Sequence, residues 1–295
     1  MIKRRSVRKT VMYTILIIYA LISLFPFIWS LMISFTPMTY TDSQGVERGV
    51  DIMQWPPEID LFKLPPHFFG AEATGENYKE VFNIAPYGRW ILNTLIYSTL
   101  VTIANLIFDG LAGYAFARLR FKGRDTIFSL IMATMMVPFP AIIIPTYLLI
   151  SKMGFINSFS GLVLPKLSLV FGIFLMRQFF LNLSMEIEEA AIIDGASIPR
   201  RAFSIMFPMA KPAFIALGIY TFLNTWNDFM WPLIVTTKKE MFTLTIGLNF
   251  FKGSFFTVWP YMMAATMLMT APMIILYFTS QKYFLEVNVS SGVKG

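Results

Sequence analysis

Four carboxylates, Glu186, Glu188, Glu189 and Asp194, crowd the start of a polar segment that reads EAAIIDGASIPRRAFSIMFPMAKP from Glu189 onward. The chain holds one histidine, His67, and no cysteine. Disulfides, thiolate metal sites and cysteine nucleophiles are thereby excluded, and a histidine metal site or serine-histidine relay has only His67 to draw on. The chemistry left to the acidic cluster is ion pairing with a cationic surface. Glu189 to Ile193 reads as a short helix, Gly195 allows a turn that a Cβ would obstruct, and Ile198 to Phe207 reads as a second short helix started at Pro199. Two short helices at an angle make a knob. Ala190, Ala191 and Ala196 keep its surface close-fitting, Phe203 and Phe207 offer apolar docking area, and the four carboxylates surround it with negative charge. Pro208 and Pro212 bend the chain toward the next apolar run. Alone, such a loop reads more often as a solvated connector.

The elements that hold this knob are apolar. Of 295 residues, 56% are hydrophobic and 14% charged, a balance that a soluble domain could not keep off its surface. A bilayer span needs roughly 20 predominantly apolar residues, and six stretches qualify: about 11–33, 90–112, 126–150, 161–181, 212–235 and 259–280. The expected fold class is all-α, a polytopic membrane protein with six transmembrane helices. Its organisation reads as a tail at 1–10, a transmembrane domain at 11–280 and a tail at 281–295, with outer loops at 36–88 and 236–258 and the knob loop at 182–211. The first run follows Lys3, Arg4, Arg5, Arg8 and Lys9 as in a secretory signal, but it is longer than a signal core and lacks a small-residue cleavage site, so it reads as a retained helix. Basic residues gather in the tail, at Arg118 to Arg124 and at Arg200, Arg201 and Lys211, which places both termini in the cytoplasm. The net charge of +7 then reflects membrane topology rather than a nucleic-acid surface.

Polar residues inside the spans are costly and mark an interior face or a wet cavity. On the second span Thr94, Ser98, Thr102, Asn105 and Asp109 share one face at steps of three and four, a pattern that reads first as helix-to-helix hydrogen bonding. On the fifth, Thr221, Asn224, Asn227 and Asp228 beside Trp226 suit a hydroxyl-rich, ring-shaped solute, with helix contacts as the alternative. Lys166 either snorkels to the outer interface or attracts an anionic solute, and Asp109 reads as a salt-bridge partner for a nearby basic residue. The long outer loop is acidic, proline-bearing and partly extended. The second outer loop carries Phe242, Phe250, Phe251, Phe255 and Phe256, which read as a protein-contact surface or an interfacial aromatic belt.

The knob segment resembles the EAA signature of ABC importer permeases: Glu-Ala-Ala, three residues, Gly, nine residues, Ile, one residue, Leu-Pro. Glu189, Ala190, Ala191, Gly195, Ile205 and Pro208 stand at the required positions, and Phe207 replaces the leucine. GYAFARLRFKGR at 113–124, TWNDFMWPLIV at 225–235 and the final GVKG look like the carbohydrate (maltose and multiple-sugar) branch, a resemblance that covers about 76–295. The first outer loop, at about 40–75, is longer than usual there. This resemblance implies the type I ABC importer permease fold in a bacterial inner membrane, with a non-identical second permease, two ATP-binding cassette subunits and an extracytoplasmic solute-binding protein as partners. It assigns ATPase coupling to Glu189, Ala190, Ala191, Asp194, Gly195, Phe203 and Pro208, with Glu189 facing a basic residue of the ATPase and the GVKG tail running against the ATPase dimer. It also assigns binding-protein contact to Phe250, Phe251 and Phe255. No glycine-rich loop ending in Lys-Ser or Lys-Thr occurs, so ATP and Mg belong to the partner ATPase and this chain binds no cofactor. The expected substrate is a sugar, an oligosaccharide in the first instance, with the path lined by Lys166, Asn224, Trp226, Asn227 and Asp228. Import of glycerol phosphate or another anionic solute is the alternative, and a passive channel a weaker one.

Overall fold

The computed structural model describes residues 2–41, 47–252 and 257–291. Asp42, Phe255, Phe256 and the GVKG end lie outside the described residues. The chain divides into two compact units. One comprises residues up to Tyr87 together with Leu248–Pro272, and the other comprises Gly88–Gly247 with the chain from Met273 onward.

The first unit begins with α1 (Ile2–Ser34), whose apolar side chains from Val11 to Ile28 stand exposed, as suits a helix whose solvent is lipid. Five short strands follow: β1 (Thr39–Thr41) pairs antiparallel with β2 (Glu47–Gly49), and β3 (Ile59–Asp60), β4 (His67–Phe68) and β5 (Ala71–Glu72) form a second antiparallel sheet. The expected extended loop is thus a pair of small hairpin sheets. Helix α2 (Glu76–Ile84) ties them to the membrane helix. Asn77 Nδ2 donates to the carbonyls of Ser34 and Thr36 at 2.9 Å each, and Tyr78 shares a 2.7 Å hydrogen bond with Ser34 Oγ. The two Asn77 bonds satisfy carbonyls at and just past the end of α1, where the helix itself supplies no partner.

The second unit is organised around α3 (Tyr87–Arg118), most of which lies in it. Toward the start of α3, Tyr97 and Val101 pack with α5 (Phe139–Lys152), α6 (Phe159–Val163) and α12 (Met230–Val235) through Ile143, Ile150, Leu162, Trp231 and Val235. Toward its end, Tyr114 and Ala117 pack with α7 (Val170–Asn182) and α11 (Lys211–Trp226) through Met176, Phe180 and Leu217. Between these two apolar clusters α3 presents its polar residues.

Three helices are individually long and apolar enough to cross a bilayer: Lys9–Ser34, Tyr87–Arg118 and Trp259–Gln281, the last belonging to α14 (Trp259–Ser291). Six spans are reached among the described residues when three bent pairs each count as one. The expected third span is broken by 98° between α4 (Arg124–Thr134) and α5, where Pro138 is extended and Pro140 opens the next helix. The expected fourth is bent by 46° between Lys166 and Val170, just past Pro165. The expected fifth ends early: α11 stops at Trp226, and it is joined instead to the Ile198–Met209 segment before it, bent by 78° at Ala210. Helix α14 runs to Ser291, past the expected end near 280.

Candidate functional site

The knob is present and is built in two parts. Helix α8 (Met185–Ile193) is capped by Ser184, whose Oγ accepts from the Glu186 amide. Gly195 ends it at φ +74, a left-handed conformation that a Cβ would strain. The amides of Gly195 and Ala196 return to the carbonyls of Ile192 and Ala191. The second part is not one regular helix. A turn of α-helix, α9 (Ile198–Arg200), passes into a π-helical turn at Arg201–Met206, then α10 (Phe207–Met209). A π turn realigns side chains within an otherwise helical segment.

Neighbouring residues of the knob face opposite surroundings. Glu189, Ala190, Asp194, Gly195, Phe203 and Pro208 are exposed, and Ile193 beside them is 85% exposed. Ala191, expected on the docking surface, is buried, and Phe207 turns inward among Tyr114, Phe180 and Phe214, with centroid distances of 6.5, 5.9 and 4.8 Å. Glu188 is also no part of the outer negative ring. It is 4% exposed and accepts from Tyr114 Oη at 2.7 Å and Arg201 Nη1 at 3.3 Å, with Arg118 Nε at 3.7 Å. Arg118 in turn donates to the carbonyls of Phe180 and Leu183 at the end of α7. A buried charge persists where it is paired and hydrogen-bonded, so this network bolts the knob to α3 and α7. No local pattern marks Tyr114 and Arg118 as contributors, although both lie in the GYAFARLR stretch that carries part of the family resemblance.

A second polar constellation sits at the break between α6 and α7. Breaking a helix in a membrane frees backbone groups that water cannot satisfy there. Residues of α3 do so instead: Asn105 Nδ2 donates to the Lys166 carbonyl at 2.7 Å, and Asp109 accepts from Ser168 Oγ at 2.6 Å and from the Leu169 amide at 3.1 Å. Asp109 therefore caps the start of α7, where negative charge is favoured, and is not the salt-bridge partner expected. Gly172 leaves room for its carboxylate, since an added Cβ would collide with it. Lys166 is neither snorkelling nor an isolated cation: its Nζ lies 2.6 Å from Asp228 Oδ2, an oxygen that also accepts from Tyr97 Oη at 2.8 Å, and 5.6 Å from the centre of the Phe139 ring.

Asn105, Phe139, Lys166, Ser168 and Asp228 border a cavity of about 360 Å³ within the second unit, lined also by Thr221 and Asn224. Of the five expected pathway residues, Lys166, Asn224 and Asp228 are brought together. Trp226 and Asn227 are not: Trp226 is buried, stacked on Phe222 at 5.6 Å, and Asn227 does not line the cavity, although its Nδ2 donates to the Leu223 carbonyl just as Asn224 Nδ2 donates to that of Tyr220. Along the second span, helix-to-helix bonding holds for Asn105 and Asp109. Thr94 accepts from the Leu244 amide, whereas Thr102 donates to the Ser98 carbonyl of its own helix and Ser98 Oγ has no partner among the described residues.

The second outer loop is held down over much of its length. Trp90 Nε1 donates to the Lys239 carbonyl, Asn93 Nδ2 to those of Glu240 and Phe242, and Phe242 lies 6.3 Å from Trp90. In the first unit Phe251 is buried against Tyr87 and only Phe250 is partly exposed, so Phe251 is not a contact residue for an outside protein, and Phe255 lies outside the described residues.

Residues 109–286 match the family described as binding-protein-dependent transport system inner membrane component. Over 291 residues the chain is 32% identical to the arabinooligosaccharides transport system permease protein AraQ of Bacillus subtilis (strain 168), covering 98% of this chain and 97% of that protein. It is 30% identical over 293 residues to the sn-glycerol-3-phosphate transport system permease protein UgpE of Yersinia pestis bv. Antiqua (strain Antiqua), covering 99% of each. A bacterial ABC transporter involved in the import of the acidic polysaccharide alginate shares the fold, with a TM-score of 0.77 at 22% identity over 95% of this chain and 97% of that one. The membrane helices, the braced knob and a match across more than half of the sequence converge: this chain belongs to the inner membrane components of binding-protein-dependent transport systems.

Proposed function

We propose that the chain forms half of the translocation pathway of an ATP-driven sugar importer, with an oligosaccharide as cargo, and that it receives the ATPase stroke at the knob. The observation that carries this is the division of labour between Glu188 and Glu189. Glu189 and Phe203 are exposed for a partner to grip, while Glu188, one residue away, is buried and bonded to α3. A push on the exposed face is thus delivered to a membrane helix rather than absorbed by a loose loop. Rocking of the bundle would follow from the differential affinity of ATP for two states of its ATPase partners, not from chemistry in this chain.

In this reading a second, non-identical permease completes the pathway, two ATPase subunits carrying ATP and Mg dock on the cytoplasmic side, and an extracytoplasmic binding protein delivers solute. Both termini are cytoplasmic, as the distribution of basic residues supports. The permease binds no cofactor of its own. The similarity to AraQ favours an oligosaccharide as cargo, and the similarity to UgpE keeps sn-glycerol 3-phosphate as the second reading. A passive pore leaves the braced knob without a purpose.

The test is ATP hydrolysis and solute uptake by the reconstituted complex, wild type beside Glu189→Ala and Gly195→Pro. Both variants are expected to enter the membrane yet lose solute-stimulated hydrolysis and uptake. Undiminished uptake by both would remove the coupling role and make a passive pore the better account.

A further inference from the structure

The cavity at the α6–α7 break combines features that select for one kind of solute. Among the described residues that line it, the formal charges are Lys166 and Asp228, and they neutralise each other at 2.6 Å. Thr221 is 3% exposed, lines the cavity, and its Oγ1 has no hydrogen-bond partner among the described residues. A buried hydroxyl left unbonded is unfavourable, and a group brought in from outside would relieve it. Asn224, whose Nδ2 already donates to the Tyr220 carbonyl, adds an amide oxygen, and Phe139 and Tyr220 add aromatic surface. At about 360 Å³ the cavity falls at the lower end of the range of roughly 300–1,000 Å³ that small-molecule sites occupy.

We propose that this cavity is a solute subsite carried by this chain itself, and that it takes one uncharged, polyhydroxylated ring of the cargo rather than a phosphate or carboxylate. This inference rests on the sugar-import reading above. A sugar hydroxyl both donates and accepts, so it can satisfy Thr221 Oγ1 and Asn224 together, while the less polar face of the ring meets the aromatic surface. An anion would find the one cation already committed to Asp228 and would be repelled by that carboxylate. The pairing of Lys166 with Asp228 and Tyr97 therefore acts as a charge filter: it keeps a cavity with a lysine in its wall electrically neutral.

The experiment uses the whole importer in liposomes, assembled with its partner permease, ATPase subunits and binding protein. ATP-driven uptake is measured with arabinotriose and maltotriose. Equilibrium binding of the same sugars and of sn-glycerol 3-phosphate is measured on the complex without the binding protein. Thr221→Val, which preserves shape, is expected to raise the Kd and KM for the bound sugar by about fivefold. Asp228→Asn, which leaves Lys166 uncompensated, is expected to weaken sugar binding and to admit sn-glycerol 3-phosphate. The double variant Lys166→Gln/Asp228→Asn, neutral again, is expected to exclude the phosphate.

If the wild type imports a sugar while Thr221→Val and Asp228→Asn bind it with unchanged Kd and still exclude sn-glycerol 3-phosphate, the subsite is overturned and the importer reading stands. If the wild-type complex imports sn-glycerol 3-phosphate and neither sugar, both are overturned.

Discussion

Two residues of α3, Tyr97 and Tyr114, do the same thing in different company. Each donates its hydroxyl to a carboxylate from a distant element, Asp228 at 2.8 Å and Glu188 at 2.7 Å, and each carboxylate is paired with a cation. They stand roughly 26 Å apart along the helix axis at 1.5 Å per residue. The Tyr114 network is sealed: the side chains of Arg118 and Glu188 are 2% and 5% exposed, and the arginine spends further donors on backbone carbonyls. The Tyr97 network is open on one side: Lys166 is 26% exposed and borders a cavity. The same chemistry thus serves as a bolt where every partner is protein and as a working surface where one side is left to a solute. Satisfaction and burial, not residue type, separate the two roles.

The largest effect that would break this comparison is expected at the bolt. Glu188→Ala leaves Arg118 and Arg201 buried without their counter-charge and should destabilise the permease by about 3–5 kcal/mol, read as a lowered thermal midpoint of the detergent-purified complex. An unchanged midpoint would mean that the network is incidental. Its neighbour sharpens the contrast. Glu189→Ala should leave that midpoint in place yet weaken docking of the ATPase subunits by about 2–5 kcal/mol, measured by titrating ATPase onto the permease. If both glutamates behaved alike, the division between inner bolt and outer grip would fall.

Asp109→Leu should cost about 1–3 kcal/mol by orphaning the Leu169 amide and Ser168 hydroxyl. Asp109→Asn, which can still accept, should recover most of this in the same melt. The smallest loss of stability is expected at Thr221→Val, which should leave the midpoint unchanged or raise it, because Thr221 Oγ1 has no partner among the described residues to lose and is unfavourable while unbonded. A clear loss of stability there would show that the hydroxyl serves the fold and not a solute.

Much of this was readable beforehand. The apolar runs, the knob and its Gly195 turn came from local patterns, and Pro138 and Pro140 stand where the third run breaks. Other features were hidden for identifiable reasons. Glu188 and Glu189 are adjacent, and 100° of helical rotation sends one inward and one outward, but which is which depends on what packs against α8. The break at 167–169 falls within a sequence that reads as ordinary apolar helix. It is sustained by Asn105 and Asp109, roughly sixty residues earlier in the chain.

Membrane residence, the spans and the knob follow from sums over neighbouring residues, since transfer into lipid and the φ/ψ demands of turns are local quantities. Whether Lys166 meets lipid, solute or a carboxylate is not such a sum. Its partner lies 62 residues away at Asp228. Charge pairing falls off with distance and strengthens with burial, so only the packed arrangement of α3, α6 and the turn after α11 could turn two costly charges into one neutral wall.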